Sequence, residues 1–568
     1  MEPILITGEK PIEESNPSEH PAFRAKYPRL FAPLQTEAYR RVREGRSCAL
    51  VAPTSSGKTL AVAAPLFETK QPAVFVLPFR ALIIDQSQEL VRIASMFGIS
   101  EDRFARVWGG ITQAEVNDAV KRDYMLITPD KLVSLFISGR SGNAAALNLL
   151  DKYAFVFDEV HIYNAMMQAS LLYFLRSVRH WQELGNRKSG FYFLSATFPK
   201  DIWELLQREL GLTDEDRIEG KSFTGNVRLV IKPAKTVTRT TNGQVPIAQD
   251  IAALDIETNT VGIFNTAYRA WQVSQAVIRG LLFIGQDKQN ETERRRNFGW
   301  FDDSPDEYAL IGSSAIEAGV DFKARNLVIE ESDQDSFVQR FGRAARSGQD
   351  AFVLAYSDTL YKMSQPGELA ARYSRADFLG LLRERIPLRE PRKLYAGLSA
   401  YAYYKFWHDP SFPMEPEHLK LCRQLEKKGV DNLLAFRGMT PYTHYESGES
   451  IGFKSLFRKA LKIDPKTGKV EGAPNPLYYF TRPKRMPVAA RVVEVADKEE
   501  LEDNSVILLA RVKFDLGLGT HWVLLELKRA SDQDSEDDNI ALEMDGKQFR
   551  PSDGRTGDLL VNFYNLDV

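Results

Sequence analysis

Short, nearly continuous apolar runs recur along much of the chain, and helical stretches separate them. In residues 31–215 these runs lie at 73–78, 124–128, 153–157 and 191–194. Apolar runs of this length are typical of parallel strands buried on both faces of a sheet. Residues 216–360 repeat the pattern, with runs at 261–264, 308–311, 327–329 and 351–355. The alternation predicts an α/β fold with two consecutive doubly wound parallel sheets.

The pattern changes on both sides of these two blocks. Residues 1–30 are rich in proline and glutamate and are predicted to form an irregular N-terminal extension. Residues 361–484 are predicted to form a mainly helical accessory region. Residues 485–568 contain strand-like runs that polar and glycine-containing loops separate, and they predict a small β-rich C-terminal domain.

The composition of the chain is that of a water-soluble globular protein. Of 568 residues, 43% are hydrophobic and 26% are charged. No apolar run approaches the roughly 20 residues that a membrane helix needs, and no secretory signal is visible, so we expect no membrane contact. The two cysteines cannot build a disulfide framework and fit a reducing cytoplasm. Because the net charge is only −2, nucleic-acid binding would need a local groove.

A phosphate-binding loop is predicted at residues 52–59, Ala-Pro-Thr-Ser-Ser-Gly-Lys-Thr, between an apolar strand and a helical stretch. Small residues at such a junction let backbone N–H groups surround a phosphate at the positive end of a helix. Lys58 can then reach the outer phosphates, and the Thr59 hydroxyl can bind magnesium. The strict pattern begins with glycine, where this chain has Ala52. A serine-rich turn that caps a buried helix is the alternative, and the strand–loop–helix order favours the phosphate site.

An acidic pair, Asp158 and Glu159, follows the predicted strand that ends at Phe157. At the carboxyl end of a strand, Asp158 can hold magnesium through water, and Glu159 can orient or deprotonate the attacking water. An acidic pair that caps a helix is the alternative. The phosphate loop upstream favours the catalytic interpretation.

Two further motifs extend this set. Ser195-Ala196-Thr197 stands at another predicted strand end, and the octapeptide Gln339-Arg340-Phe341-Gly342-Arg343-Ala344-Ala345-Arg346 lies in the second block. With these motifs, residues 30–350 resemble a superfamily 2 helicase of the DEAD/DEAH-box type. The resemblance implies two RecA-like lobes, ATP and Mg²⁺ as cofactors, and ATP hydrolysis coupled to the unwinding of nucleic acid.

The resemblance also implies a role for each matching residue. The catalytic residues would be Glu159, Asp158, Gln339, Arg343 and Arg346, the two arginines acting as fingers from the second lobe. The ATP-binding residues would be Gln35, which would read adenine, and Thr54, Ser55, Ser56, Gly57, Lys58, Thr59, Gly319 and Asp321. Magnesium would be held by Thr59 and Asp158. The residues that couple the ATP site to movement would be His161, Ser195 and Thr197. The nucleic-acid contacts would be Arg80, Thr128, Pro129, Asn265, Thr266 and Ser314.

A narrower resemblance points to the helicase of type I CRISPR interference. It is carried by Val156-Phe157-Asp158-Glu159-Val160-His161, by Leu77-Pro78-Phe79-Arg80 and by the long C-terminal extension. Most members carry a His-Asp nuclease domain, whereas this chain has too few residues before Gln35 and only seven scattered histidines. The resemblance is therefore to stand-alone subunits of the type I-D kind. It implies a monomeric motor that moves 3′ to 5′ along single-stranded DNA, recruited by a guide-RNA complex whose large subunit bears the nuclease.

Other interpretations of the motor motifs remain open. An RNA helicase or a DNA repair or restriction translocase would carry the same motifs, and a non-catalytic nucleic-acid clamp could use the same fold. Outside the motor, Arg294-Arg295-Arg296 is predicted to lie on a solvated face, with a phosphate contact as the alternative. The aromatic stretch at 395–407 is predicted to be core, with a base-stacking platform as the alternative.

Overall fold

The computed structural model describes residues 3–427 apart from short gaps, and beyond residue 427 it describes strands. The gaps before residue 427 are 53–55, 79, 109–112, 138–141, 164, 185–189, 197, 199, 222, 235–244, 266, 285–290, 314–315, 317–321, 323, 347, 366, 388–392, 408 and 410. The chain divides into two compact units. The first is Met1–Leu132, Ala144–Asn164 and Phe174–Arg389, and the second is Val133–Asn143, Ala165–Tyr173 and Glu390–Val568.

The first half of the first unit is built on a parallel sheet. The elements up to residue 219 are β1 (Ile4–Thr7), β2 (Ile12–Ser15), α1 (Pro21–Lys26), β3 (Arg29–Ala32), α2 (Leu34–Arg43), β4 (Cys48–Val51), α3 (Lys58–Glu68), β5 (Ala73–Val76), α4 (Arg80–Ser95), β6 (Phe104–Val107), α5 (Gln113–Ala119), β7 (Tyr124–Ile127), α6 (Pro129–Ile137), α7 (Gly142–Lys152), β8 (Ala154–Phe157), α8 (Ala165–Glu183), β9 (Phe191–Ser195), α9 (Lys200–Leu210) and β10 (Arg217–Glu219). The sheet has the order β10-β4-β9-β8-β5-β7-β6, and each neighbouring pair is parallel. We call this sheet and its helices lobe 1.

A second sheet forms the rest of the first unit, lobe 2. Its elements after residue 219 are β11 (Val227–Lys232), α10 (Pro246–Ala253), β12 (Thr260–Ile263), α11 (Ala267–Ala276), β13 (Gly280–Phe283), α12 (Glu291–Asp303), β14 (Ala309–Gly312), β15 (Asn326–Glu330), α13 (Gln334–Gly342), β16 (Ala351–Tyr356), α14 (Asp358–Ser364), β17 (Arg372–Ser374) and α15 (Arg375–Arg385). The strand order is β13-β14-β12-β15-β16-β11-β1-β17. The N-terminal strand β1 therefore lies in lobe 2, antiparallel to β11 and parallel to β17.

The second unit combines mainly antiparallel strands with two helices of its own, to which the end of α6 and the start of α8 are added. Its elements are α16 (Lys393–Trp407), α17 (Pro416–Lys427), β18 (Gly438–Met439), β19 (Lys462–Ile463), β20 (Val470–Glu471), β21 (Tyr478–Thr481), β22 (Pro487–Glu500), β23 (Val506–Phe514), β24 (Thr520–Arg529), β25 (Leu542–Met544), β26 (Lys547–Phe549) and β27 (Leu559–Asn565). One sheet has the order β18-β27-β24-β23-β22-β21. Within this unit the Tyr173 hydroxyl lies 2.9 Å from Nδ1 of His418, and the rings of Phe136 and Tyr403 are 4.7 Å apart.

The predicted fold class is confirmed. Leu50, Val156 and Leu194, on the central strands of lobe 1, are wholly buried, as are Val261, Leu310 and Ile329 in lobe 2. Burial on both faces is what the continuous apolar runs predicted. In the part of the chain that the structure describes, no helix is both long and apolar enough to cross a bilayer.

The prediction of an irregular extension at residues 1–30 is wrong. β1 joins the sheet of lobe 2, β2 pairs with β3, and α1 buries Phe23 in the core of lobe 1. The local pattern is weak because β2 is exposed throughout, so its pairing partners and not its own side chains make it a strand.

Two predictions outside the motor motifs have structural outcomes. Tyr401 and Tyr403 of α16 are wholly buried, which confirms the core interpretation at these two positions. Arg294 was predicted to lie on a solvated face, and this is wrong. Its guanidinium is buried and lies 4.4 Å from the ring centre of Phe283, because the ring face attracts the cation.

Candidate functional site

The phosphate loop lies where the sequence predicted it, between β4 and α3. Gly57 is the residue before α3 and has φ of 77°, in the left-handed region. The backbone conformation therefore favours glycine, and a Cβ atom at this position would lie 2.0 Å from Nε2 of Gln35 and displace that amide. Thr54 and Ser55 lie outside the described residues.

Gln35 lies against the phosphate loop in the first turn of α2. Its Nε2 donates a hydrogen bond to the carbonyl oxygen of Ser56 at 2.9 Å, and its Oε1 accepts one from the backbone N–H of Phe31 at 2.9 Å. The side chain is buried. These bonds tie the loop to the start of the lobe, and adenine recognition by Gln35 stays a prediction.

Lys58 is buried at the first position of α3. Its ammonium donates to the carbonyl oxygen of Ala52 at 2.8 Å. Burial lowers the pKa of Lys58, the carboxylates of Glu159 and Asp158 oppose this shift, and Arg346 adds to it. The effect of Arg346 is the smallest of these, but it comes from the other lobe, because Arg346 belongs to lobe 2. The charge of that arginine reaches the phosphate loop of lobe 1.

Asp158 and Glu159 follow β8, directly beside this loop. Oδ1 of Asp158 accepts the backbone N–H of Glu159 at 2.9 Å, and the Thr59 hydroxyl is hydrogen-bonded to Asp158. Burial and the neighbouring Glu159 raise the pKa of Asp158 to about 7, and Lys58 opposes that shift. Glu159 has φ of 50°, in the left-handed region that is costly for a side chain of this size.

Thr59 and Asp158 fit the requirements of a magnesium ion. Both offer oxygen atoms, and the two side chains touch, so one cation could contact both. Magnesium is usually held by one or two protein oxygens together with phosphate and water, which matches this small donor set. When bound, it would neutralise charge on the terminal phosphates.

His161 connects this carboxylate cluster to lobe 2. Its Nδ1 lies 3.1 Å from Oγ of Ser195 and 3.3 Å from Oε2 of Glu159. The side chain of Gln339, in lobe 2, lies beside the ring. Burial lowers the pKa of His161, which favours the neutral ring. Three residues that the sequence analysis assigned to separate motifs therefore meet around one imidazole.

Arg343 and Arg346 follow the C-terminal end of α13. Asp333 caps the N-terminus of this helix by accepting the N–H of Ser336 at 3.0 Å. Arg343 is buried, with its guanidinium 5.3 Å from the ring centre of Phe322. Arg346 follows three residues later and acts on Lys58, as described above. The arrangement can supply positive charge to an anion bound at the phosphate loop.

Arg340, to which the sequence analysis gave no role, organises the neighbouring part of lobe 2. It donates to Oδ1 of Asn265 and to the carbonyl oxygen of Glu330, both at 2.7 Å. Nδ2 of Asn265 in turn donates to the carbonyl oxygen of Glu331 at 2.7 Å. Both polar atoms of the Asn265 amide are thus engaged inside the lobe, and its contact with nucleic acid stays a prediction.

Among the predicted nucleic-acid contacts, Arg80 is exposed at the start of α4. Its guanidinium lies 5.0 Å from the ring centre of Trp108, a residue that the sequence analysis missed. Thr128 is buried, and Pro129 begins α6. Trp108 could have been noticed because a solitary tryptophan precedes two glycines there.

Five further predicted site residues lie outside the described part of the chain: Thr197, Thr266, Ser314, Gly319 and Asp321. Their roles stay predictions.

Most of lobe 1 is similar to a known protein family. Residues 32–205 match the model of the DEAD/DEAH box helicase family. The match contains the phosphate loop, the acidic pair, His161 and Ser195, which are the residues that converge in lobe 1. It covers less than a third of the chain.

Curated relatives are similar over part of their length. The uncharacterized ATP-dependent helicase YprA of Bacillus subtilis (strain 168) is 28% identical over 192 residues, which are 32% of this chain and 25% of that protein. The ATP-dependent RNA helicase ddx46 of Dictyostelium discoideum is 24% identical over 335 residues, 56% of this chain and 28% of that protein. The chain thus spans about a quarter of the length of these relatives.

Solved structures show the same fold over most of the chain. The DUF1998 helicase MrfA bound to DNA is similar with a TM-score of 0.57 and 14% identity, over 99% of this chain and 89% of that one. Its complex with DNA and AMPPNP gives a TM-score of 0.59 and 16% identity, over 90% and 80%. At these identities the likeness is one of fold.

Proposed function

We propose that the chain is an ATP-dependent helicase or translocase of superfamily 2. The observation that carries this proposal is the convergence of two lobes on one loop: the charge of Arg346 acts on Lys58, and the side chain of Gln339 lies beside His161, next to Glu159. A site of this kind is complete only when both lobes are in place. Opening and closing of the lobes can therefore be linked to the chemistry of one nucleotide.

The proposed reaction is transfer of the γ-phosphoryl group of ATP to water. Lys58 holds the outer phosphates, Glu159 orients the attacking water, and Arg343 and Arg346 stabilise the charge that develops on the transferred group. Little covalent chemistry is asked of the protein, because such transfer depends on positioning and electrostatic stabilisation. His161 lies next to Glu159, Ser195 and Gln339. A change in the charge or position of Glu159 can therefore alter the contacts of His161 with the other two residues.

The proposed substrate is single-stranded DNA, along which the motor moves 3′ to 5′. Support comes from the narrower sequence resemblance and from the fold shared with a helicase that was solved bound to DNA. An RNA helicase, or a DNA repair or restriction translocase, is the alternative, and relatives named as RNA helicases match this chain as well.

We expect single-stranded DNA to stimulate ATP hydrolysis more than single-stranded RNA of the same sequence, and duplexes with a 3′ tail to be unwound in preference to those with a 5′ tail. The measurements are phosphate release and strand displacement on matched DNA and RNA substrates. Stronger stimulation by RNA would favour the RNA helicase. Absence of ATP hydrolysis with every nucleic acid would favour the non-catalytic clamp.

A role in type I CRISPR interference is the finer part of the proposal, and the sequence motifs around Asp158 and Arg80 support it. We expect affinity capture of the full chain from its own cells to recover a guide-RNA complex that contains a nuclease-bearing large subunit. Capture of the Lys58→Ala variant is the matched control, because recruitment should not need ATP turnover. Recovery of repair proteins without guide RNA would argue for the alternative role.

We also expect the purified chain to leave DNA intact with added Mg²⁺ or Mn²⁺. The reason is the lack of a recognisable His-Asp nuclease motif in the sequence, where the sole His-Asp pair, His408-Asp409, precedes a proline. The measurement is an end-labelled DNA cleavage assay. Cleavage that persists through stringent purification and disappears with a substitution in this chain would contradict the prediction.

A further inference from the structure

The backbone crosses between the two lobes twice, side by side. The expected crossing is the connector between β10, in the sheet of lobe 1, and β11, in the sheet of lobe 2. The second crossing is the N-terminal segment between β1, in the sheet of lobe 2, and β2, which pairs with β3 at the start of lobe 1. We call residues 8–10 and 223–226, which lie next to each other here, the crossing ribbon.

Hydrogen bonds join the two strands of the crossing ribbon. The N–H of Thr224 donates to the carbonyl oxygen of Glu9 at 2.9 Å, and the N–H of Glu9 donates to the Thr224 hydroxyl at 3.0 Å. The N–H of Gly8 donates to Oδ1 of Asn226 at 3.1 Å. A Cβ atom on Gly8 would lie 2.2 Å from the carbonyl oxygen of Thr224, so the strands cross at the closest approach that glycine permits.

The loop that carries the arginine fingers is attached to this ribbon. The N–H of Gly225 donates to the carbonyl oxygen of Ala345 at 2.9 Å. Thr224 and Arg346 form an antiparallel β-bridge. Ala345 itself has φ of 59°, in the left-handed region, so the loop adopts a conformation that its surroundings must hold. The backbone of Arg346 is thus fixed to the segment that joins the lobes.

The side chain of Arg375 is hydrogen-bonded to the loop that carries Arg343 and Arg346. Arg375 is the first residue of α15 and is only 1% exposed. Its Nη2 donates to the carbonyl oxygens of Ala344 at 3.1 Å and Gly342 at 3.3 Å, and its guanidinium lies 5.5 Å from the ring centre of Phe341. One buried side chain therefore holds the backbone on both sides of Arg343.

The charges around Arg375 belong to the same assembly. Burial lowers its pKa to about 10, the Glu9 carboxylate of the crossing ribbon opposes that shift, and Arg346 adds to it. Arg375 therefore remains charged at neutral pH. A buried guanidinium costs considerable free energy unless it is paired and hydrogen-bonded. Here the compensation is partial: Nη2 bonds to two carbonyl oxygens of the Arg343–Arg346 loop, the ring face of Phe341 and the Glu9 carboxylate attract the cation, and Nε and Nη1 have no hydrogen-bond partner among the described residues.

We propose that Arg375 is a positioning residue that, together with the crossing ribbon, sets the Arg343–Arg346 loop against the phosphate site of lobe 1. The proposal rests on the proposed ATPase function. Arg375 acts through the backbone carbonyls of the loop and does not itself reach the nucleotide. Its loss should impair the chemical step while ATP binding, which depends on lobe 1, persists. Lysine should substitute only in part, because its ammonium can bond the two carbonyl oxygens that Nη2 holds but cannot place a planar guanidinium over the Phe341 ring.

The test compares Arg375→Met and Arg375→Lys with the unaltered full chain, at saturating nucleic acid. We expect kcat for ATP hydrolysis to fall about 10²-fold in Arg375→Met, because a displacement of about 1 Å can cost that much. The KM for ATP should change by no more than about twofold. The kcat of Arg375→Lys should lie between those of Arg375→Met and the unaltered chain. Arg294→Met is the matched control. Arg294, on α12, is also buried against a phenylalanine of lobe 2, but this ring is Phe283 on β13, at the opposite edge of the sheet.

Hydrogen–deuterium exchange gives a readout that does not depend on activity. In Arg375→Met, the amides of residues 223–226 and 342–346 should exchange faster, whereas in Arg294→Met they should be unchanged. If the unaltered chain hydrolyses no ATP, the proposed function fails, and exchange alone decides on the role of Arg375. If the chain is active but Arg375→Met leaves both kcat and exchange unchanged, or resembles Arg294→Met in both, the positioning role is refuted.

Gly8→Ala keeps the proposal testable should Arg375→Met fail to fold. The added methyl group must push the two strands of the crossing ribbon apart, although Gly8 lies outside the ATP site. We expect lower kcat, unchanged KM for ATP and faster exchange at residues 342–346. Faster exchange confined to residues 223–226, with kcat unchanged, would show that the ribbon does not hold the arginine loop and would overturn the proposal.

Discussion

Replacing Arg346 with alanine should lower kcat for ATP hydrolysis by about 10³- to 10⁵-fold, the range seen for arginine fingers in other phosphoryl-transfer systems. The physical reason is that Arg346 is a cation of lobe 2 whose field reaches Lys58 in lobe 1. In the transition state, charge spreads over the transferred phosphoryl group, and a cation from the second lobe stabilises that charge. The measurement is phosphate release at saturating ATP and single-stranded DNA.

Binding and chemistry should separate in this variant. Because Lys58 and the phosphate loop are intact, the affinity for a fluorescent ATP analogue should fall much less than kcat does. Arg325→Ala is the matched control, since Arg325 is an exposed arginine of lobe 2 outside the octapeptide, and its turnover should equal that of the unaltered chain. Full turnover in Arg346→Ala would mean that the two lobes do not share one ATP site.

The sequence predicted the parts of the site that are local in the chain. The loop before Lys58 and the pair Asp158-Glu159 each follow a buried strand, and the carboxyl ends of parallel strands share one edge of a sheet. Apolar runs identified those strands, so their meeting at one edge followed from the parallel topology. The link between His161 and Ser195 came from the family resemblance and from no local signal, and the proximity of His161 to Gln339 was not predicted.

The rest depends on pairing between segments far apart in the chain. β1 is a strand because it pairs with β11 and β17. Its four residues are too few for a hydrophobic pattern that would predict these pairings. In the sequence, Arg375 is an ordinary charged residue at the start of a helix. Only the folded lobe shows that its side chain is buried and bonded to the carbonyl oxygen of Ala344. The second crossing between the lobes was hidden for the same reason.

The remaining large effect concerns Lys58. Lys58→Ala should lower kcat for DNA-stimulated hydrolysis by about 10²- to 10³-fold, as does removal of a single preorganised stabilising group in other enzymes. It should also weaken ATP binding, which distinguishes it from Arg346→Ala. The ammonium is buried between the carbonyl oxygen of Ala52 and the carboxylates of Asp158 and Glu159. Its removal therefore takes away the cation of lobe 1 and leaves two acidic groups facing the phosphates.

Lys200→Ala is the matched control for that variant. Lys200 is an exposed lysine of the same lobe whose side chain pairs loosely with Glu204, at 3.6 Å. Its removal should leave hydrolysis, ATP affinity and unwinding unchanged, because exposed pairs of this kind contribute little to stability. Retained turnover in Lys58→Ala, with DNA stimulation intact, would mean that the loop between β4 and α3 does not hold the reacting phosphates. The convergence of Arg346 on that loop would then need another explanation, since without a bound anion the cations of Lys58 and Arg346 would repel each other.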